Sequence, residues 1–164
     1  MTTGTFLFLA FIVVQRLGEL VIAKRNTTAL MARGAREVGA GHYPVMVALH
    51  SAWVLCLLVF GYNQEIHVGW LVFYAILQVF RVWILGTLGP RWTTRIIVID
   101  EPLVARGPFR FIPHPNYTLV VAEIIVAPMV LGLLWVAVVF TLLNAAMLYH
   151  RIRVEDAALR PKAG

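Results

Sequence analysis

The sequence predicts an all-α fold, a polytopic integral membrane helical bundle of five transmembrane helices closing in a terminal helical hairpin. Three observations predict it. Hydrophobic residues make up 60% of the 164-residue chain and charged residues 13%, with a mean hydropathy of +0.81. A soluble chain has nowhere to hide so much apolar surface, whereas lipid accepts it. Second, the apolar residues fall in bilayer-length runs separated by short polar breaks. Third, the basic residues form three groups: Lys24, Arg25, Arg33 and Arg36; Arg91, Arg95, Arg106 and Arg110; Arg151, Arg153, Arg160 and Lys162. The connection at 62–67 and the turn at 128–132 carry no Lys or Arg. Five crossings put all three groups on one face, which the positive-inside rule makes cytoplasmic, with the N-terminus outside and the C-terminus inside.

The first run, Phe6 to Ala23, makes a membrane helix ending at Lys24-Arg25. Within it Arg16 and Glu19 lie three residues apart on one face, where lipid contact is costly, so they pair with each other or face the protein interior. Residues 26–41 read as a surface connector containing a short amphipathic helix around Arg33, Arg36 and Glu37. Tyr43 to Tyr62 is the second crossing, with His42 near interfacial water and His50 a hydrogen-bonded packing residue. Asn63-Gln64-Glu65 breaks the chain before a third crossing, Val68 to Leu88, whose Gln78 and Arg81 share an inward polar stripe. Arg81 needs a protein carboxylate, a wet cavity or a route to the surface.

Gly89-Pro90 stops that helix. Ile96 to Ile99 suits a brief extended segment, and Asp100-Glu101-Pro102 turns it. The apolar run Thr118 to Leu148 would measure roughly 46 Å as straight helix, against roughly 30 Å of hydrocarbon. Pro128 and Gly132 break it into a short arm, Thr118 to Val130, and a longer one, Leu133 to Tyr149. Glu123 and Asn144 sit on opposite arms, to form an inward polar contact or line a ligand route. Trp70, Trp83, Trp92 and Trp135 anchor interfaces or pack the bundle.

A net charge of +6 and a pI near 10.1 would suggest nucleic acid for a soluble protein. In a membrane chain they are topology signals and contacts to membrane lipids, and no nucleic-acid partner is expected. With Cys56 the single cysteine, an intrachain disulfide or a cysteine metal cluster is excluded. No metal site is expected, and nothing marks a protein partner. No polar linker divides the chain, so residues 1–164 read as one domain.

The segment Arg106 to Tyr117 is basic and punctuated by Pro108, Pro113 and Pro115, with Gly107 free to turn. It is a shaped loop at a membrane surface. If its face is shared with the C-terminal basic group, His114, Asn116 and Tyr117 come near Arg151, Arg153, Glu155 and Asp156. Such a set has donors for a carboxylate, acceptors for an amino group or ribose hydroxyls, and aromatic surface for adenine. The neighbouring helices offer an apolar route to a lipid-like molecule.

From about Leu88 to Leu159 the chain resembles the isoprenylcysteine carboxyl methyltransferase family. The resemblance rests on Gly107-Pro108-Phe109-Arg110-Phe111, then His114-Pro115-Asn116-Tyr117, a hydrophobic hairpin, and Arg151-Ile152-Arg153-Val154-Glu155-Asp156 with Leu159. It departs from the family pattern at Pro113, where arginine is usual, at Leu119, where glycine is usual, and at Asp156, which replaces the second of paired glutamates. The resemblance implies a cytoplasmic-side S-adenosylmethionine pocket and a lipophilic or prenylated acceptor entering from lipid, with 88–159 as the family-like catalytic core. It implies cofactor contacts from His114, Asn116, Tyr117 and Glu155. His114 is otherwise a loop anchor, Asn116 a helix N-cap, Tyr117 an interface anchor and Glu155 an ion-pair partner of Arg151 or Arg110. Arg110, Arg151 or Arg153 would hold an acceptor carboxylate, which is nucleophilic without a base. A phenol or enol would instead need proton removal, with His114 or Glu155 as acceptor. The alternative from another class is a noncatalytic membrane binding or scaffold subunit.

Overall fold

The computed structural model describes residues 1–160. Lys162, counted with the last basic group, lies outside the described residues. Five helices appear: α1 (Thr3–Ala32), α2 (Tyr43–Gly61), α3 (Val68–Leu88), α4 (Pro115–Val130) and α5 (Leu134–Leu159). Four of them, α1, α2, α3 and α5, are long and apolar enough to cross a membrane. At 16 residues α4 is about 24 Å long.

Each long helix keeps an apolar stripe exposed. On α3 it is Val72, Phe73, Ile76, Val79 and Val82, and on α5 Leu134, Val138, Val139, Leu142 and Leu143. These follow helical spacing and form the lipid face. The inward faces build a core around Trp53, Leu57, Ile124, Val130, Leu131 and Val136. Pro128 lies inside α4 and leaves its carbonyl to accept from the amides of Leu131 and Leu133. Gly132, at φ 67°, then reverses the chain into α5.

One end of the bundle is tied together by local polar contacts. The Thr5 hydroxyl donates to the Gln64 carbonyl at 2.7 Å, and the His67 amide donates to the Val130 carbonyl at 2.8 Å. Thus the start of α1, the α2–α3 connection and the end of α4 are neighbours. Gly61 makes room there, since a Cβ would come within 2.6 Å of Leu131 Cδ1 and push that side chain aside.

At the other end the expected helix around Arg33, Arg36 and Glu37 is replaced by a strand. Past Lys24-Arg25, α1 continues as far as Ala32, because no Gly or Pro intervenes to stop it before Gly34, at φ 88°. The amide of Asn26 secures this extension by donating to the carbonyls of Gly89 (3.2 Å) and Trp92 (2.8 Å). Beyond Gly34, strand β1 (Arg36–Val38) pairs antiparallel with β2 (Ile96–Val98), in the register Glu37↔Ile97. The extended segment read at 96–99 thereby gains a partner, and Arg95 Nη1 meets Glu37 Oε1 at 2.6 Å. The β-branched residues of β2 suit a strand, and its ladder partner removes the helical alternative for 36–38.

Candidate active site

Two polar assemblies lie along one cavity of about 390 Å³. The deeper one is charged. Glu123, fully buried on α4, accepts from Arg16 Nη2 at 2.7 Å, Gln78 Nε2 at 3.0 Å and Arg81 Nε at 2.9 Å, and also from Arg81 Nη2. Arg16 also meets Glu19 at 3.1 Å, and Arg81 Nη1 meets Glu19 at 2.7 Å. Two arginines and two glutamates from three helices thus neutralise one another. The pair read at Arg16 and Glu19 and the inward stripe of Gln78 and Arg81 are parts of this single cluster. Glu123 turns toward α1 and α3, so the inward contact with Asn144 is not formed; Asn144, 2% exposed, lines the cavity. The reason is charge: two guanidinium groups outbid one amide for a buried carboxylate.

The second assembly forms the cavity mouth, where the loop before α4 meets the last turns of α5. α5 is about 39 Å long, so its C-terminal turns project beyond the hydrocarbon. Arg151 is buried there. Its Nη2 donates to the Thr94 carbonyl at 3.0 Å, Nη1 lies 2.8 Å from Met46 Sδ, and the guanidinium sits 5.7 Å from the Tyr117 ring centre. The His114 ring stacks on Tyr117 with centroids 5.5 Å apart. His114 Nδ1 is 3.8 Å from Glu155 Oε2, and Nε2 is 3.4 Å from Asp156 Oδ1. Asn116 lies inside the first turn of α4, behind His114 at the N-cap, so it does not cap the helix; its Oδ1 accepts from Trp92 Nε1 at 3.3 Å.

The loop is shaped by its glycine and prolines. Gly107, at φ 58°, approaches α3 so closely that a Cβ would meet Thr87 Oγ1 at 2.6 Å. A short 3-10 turn over Gly107–Arg110 follows and directs Phe109 into a buried group with Ile84, Trp92 and Leu119. Arg106 closes the same contact through a 3.4 Å hydrogen bond to the Thr87 carbonyl.

Of the residues singled out in the sequence, His114, Asn116, Tyr117, Arg151 and Glu155 all line the cavity. Arg110 and Arg153 are exposed, beside Phe111 (5.9 Å) and Tyr149 (5.6 Å) respectively, and neither lines it. Met46, His50 and Thr94 line the cavity without having been marked for it. Met46 and Thr94 carry no sequence signal, because their role depends on which way two distant segments face. His50 carried one, as a polar residue in an apolar helix.

A membrane-embedded bundle whose largely apolar cavity carries polar groups at its mouth and in its depth has the layout of an enzyme that brings a polar cosubstrate to a lipophilic one. The isoprenylcysteine carboxyl methyltransferase (ICMT) family model matches residues 70–161, and the chain belongs to that family. It is therefore an S-adenosylmethionine-dependent methyltransferase acting on a lipophilic acceptor in a membrane environment; family members act at a carboxylate oxygen. An uncharacterized protein of Bacillus subtilis (strain 168), YpbQ, is 35% identical over 94% of this chain and 96% of its own length. An uncharacterized protein of Haemophilus influenzae (strain ATCC 51907 / DSM 11121 / KW20 / Rd) is 26% identical over 92% and 91%. No solved structure matches the chain significantly.

The mouth fits the cofactor on its own chemistry. Arg151 Nε and Glu155 Oε2, one helical turn apart, are buried polar atoms with no hydrogen-bond partner among the described residues. A donor and an acceptor so placed suit the carboxylate and ammonium of an amino-acid moiety, and Tyr117 offers a ring face beside them.

Proposed function

We propose that S-adenosylmethionine binds at the mouth through His114, Asn116, Tyr117 and Glu155, with the lipophilic acceptor reaching it through the deeper cavity. The observation that carries this reading is the pair of unpartnered atoms, Arg151 Nε and Glu155 Oε2, in the wall of a cavity that runs on into the bundle. When bound, the cofactor supplies an electrophilic methyl group on a sulfonium. Tyr117, half-buried in the cavity wall, excludes water from the transfer path, and the fixed walls hold the acceptor oxygen in line, which is the main contribution such a site can make. Arg151, held by Thr94 and Met46, is the arginine we assign to the cofactor's carboxylate, through its free Nε; Arg110 and Arg153 serve the anionic membrane surface.

In the same reading α4 is the fifth crossing, paired with α5 as a hairpin. Support comes from its two ends: Asn116 meets Trp92 beside the β ribbon, and Val130 meets His67 at the opposite end of the bundle. The short helix spans with loop residues completing it. All three basic groups then face the cytoplasm, with the N-terminus outside. Residues 1–164 act as one methyltransferase domain, with 88–159 as its catalytic core.

The test is calorimetric binding of S-adenosylmethionine to protein in lipid nanodiscs, for wild type and for Tyr117→Ala and Glu155→Ala variants checked for folding. Saturable binding by wild type, weakened at least about tenfold in both variants, is expected. Unchanged affinity in the folded variants overturns the pocket assignment.

A further inference from the structure

Halfway down the cavity one helix places a base that the cofactor contacts leave unused. His50 Nδ1 lies 2.9 Å from the Met46 carbonyl, four residues earlier on α2. A carbonyl only accepts, so Nδ1 carries the proton, and in the neutral form of the ring Nε2 is then the lone-pair acceptor. Nε2 has no partner among the described residues, and His50 lines the cavity. Its depth follows from packing. The Arg151 to Met46 contact sets the start of α2 beside the last turns of antiparallel α5, so His50, one turn or about 6 Å beyond Met46, lies further into the bundle, in a cavity that Met147 and Asn144 of α5 also line.

We propose that His50 is the proton acceptor for an amphiphilic acceptor that bears a weakly acidic hydroxyl, a proposal that rests on the cofactor site described above. The lone pair of Nε2 attracts a hydroxyl proton and repels a carboxylate. The hydroxyl proton passes to Nε2 while the acceptor oxygen forms its bond to the methyl carbon; the sulfur–carbon bond breaks with its electron pair remaining on sulfur. The imidazolium then loses its proton to water at the mouth. The amide of Asn144, which lines the same cavity with no hydrogen bond among the described residues, is placed to orient the oxygen. Charged and titratable groups facing this space are Arg16 and Glu19 from α1, Arg81 from α3, Tyr117 from α4, and Arg151 and Glu155 from α5. Tyr43 of α2 and the loop residues Arg91, Arg95 and His114 lie along its mouth. Glu123 lies behind the first three.

The experiment compares wild type with His50→Gln in nanodiscs, using alkyl-chain acceptors matched in length that end in a phenol or a carboxylate. S-adenosylmethionine affinity is measured alongside by calorimetry, and the His50 tautomer by 15N NMR. The expected result is a phenol kcat reduced at least about 100-fold in the variant, with residual rate rising tenfold per pH unit as phenolate replaces the lost base. Cofactor affinity stays unchanged, and the NMR spectrum shows the Nδ1–H tautomer. An equal loss on both acceptors, no loss on the phenol, no phenol turnover by wild type, or an Nε2–H tautomer overturns the proposal. Loss of cofactor binding by wild type instead overturns the site on which it rests.

Discussion

The deep charge cluster and the cavity mouth are built from the same residue types and behave oppositely. Around Glu123 every strong charge has an opposite charge in contact, and both carboxylate oxygens accept from arginine. At the mouth, Glu155 and His114 stand 3.8 Å apart, beyond a hydrogen bond, and buried Arg151 Nε and Glu155 Oε2 have no hydrogen-bond partner among the described residues; Arg16 Nε in the deep cluster also lacks one, but its guanidinium is paired with Glu19 and Glu123 through Nη1 and Nη2. A closed set of charges inside a bilayer is a structural solution, since each member relieves the desolvation of the others. An open set is unfavourable by itself and becomes satisfied when a ligand arrives. Arg16 and Glu19 border the cavity yet belong to the closed set, so lining a pocket does not by itself mark a ligand contact.

The largest expected effect comes from opening the closed set. Glu123→Leu leaves Glu19 as the one carboxylate for the two guanidinium groups of Arg16 and Arg81, so that one positive charge is buried without compensation, with a cost of about 3–5 kcal/mol. Thermal unfolding in detergent, followed by light scattering or size exclusion, should show a much lower Tm or no folded fraction. A variant as stable as wild type would remove the distinction between the two assemblies.

At the mouth the order reverses, with binding lost and stability kept. Glu155→Gln should weaken S-adenosylmethionine binding by roughly 10- to 100-fold, the scale of one hydrogen bond to a charged group, while Tm changes little. Arg151→Lys keeps the charge but gives up the planar contacts to Thr94, Met46 and Tyr117. It should lower cofactor affinity about tenfold with a modest fall in Tm. A Tm loss as large as that of Glu123→Leu in either variant would make the mouth structural too.

The smallest effects come from exposed contacts at the rim of the mouth and beyond it. Arg95→Ala removes the partly exposed contacts to Glu37 across the β ribbon and to the face of the Tyr43 ring, 4.0 Å away, and should cost about 1 kcal/mol. Arg153→Ala, next to Tyr149 on the exposed side of α5, should leave cofactor affinity within about twofold; a tenfold loss would bring Arg153 back into the site.

Much of this was legible along the chain. Gly89-Pro90 and Pro128 with Gly132 marked breaks because backbone chemistry is local, and Val68 to Leu88 emerged with its limits unchanged. The strand at 36–38 was not legible, since Arg-Glu-Val acquires strand character only from its pairing with Ile96–Val98. In the site, His114, Tyr117 and Glu155 stood out as polar residues bordering apolar helices. Met46 and Thr94 did not, because a thioether in an apolar helix and a threonine in a loop look the same whether or not an arginine reaches them.

By itself the sequence determined that this chain lives in a membrane, where its helices break, and which polar residues need shelter. Those properties follow from the transfer cost of each side chain and the rotational limits of each backbone unit, and both act at short range. Which shelter each residue found was decided only by tertiary structure. Glu123 joined Arg16 and Arg81 instead of Asn144, while Arg151 faced the cavity and Arg153 faced away, because two residues on one helix point some 200° apart. Pairing energies depend on distance through space, and only the packing of helices from remote parts of the chain sets that distance.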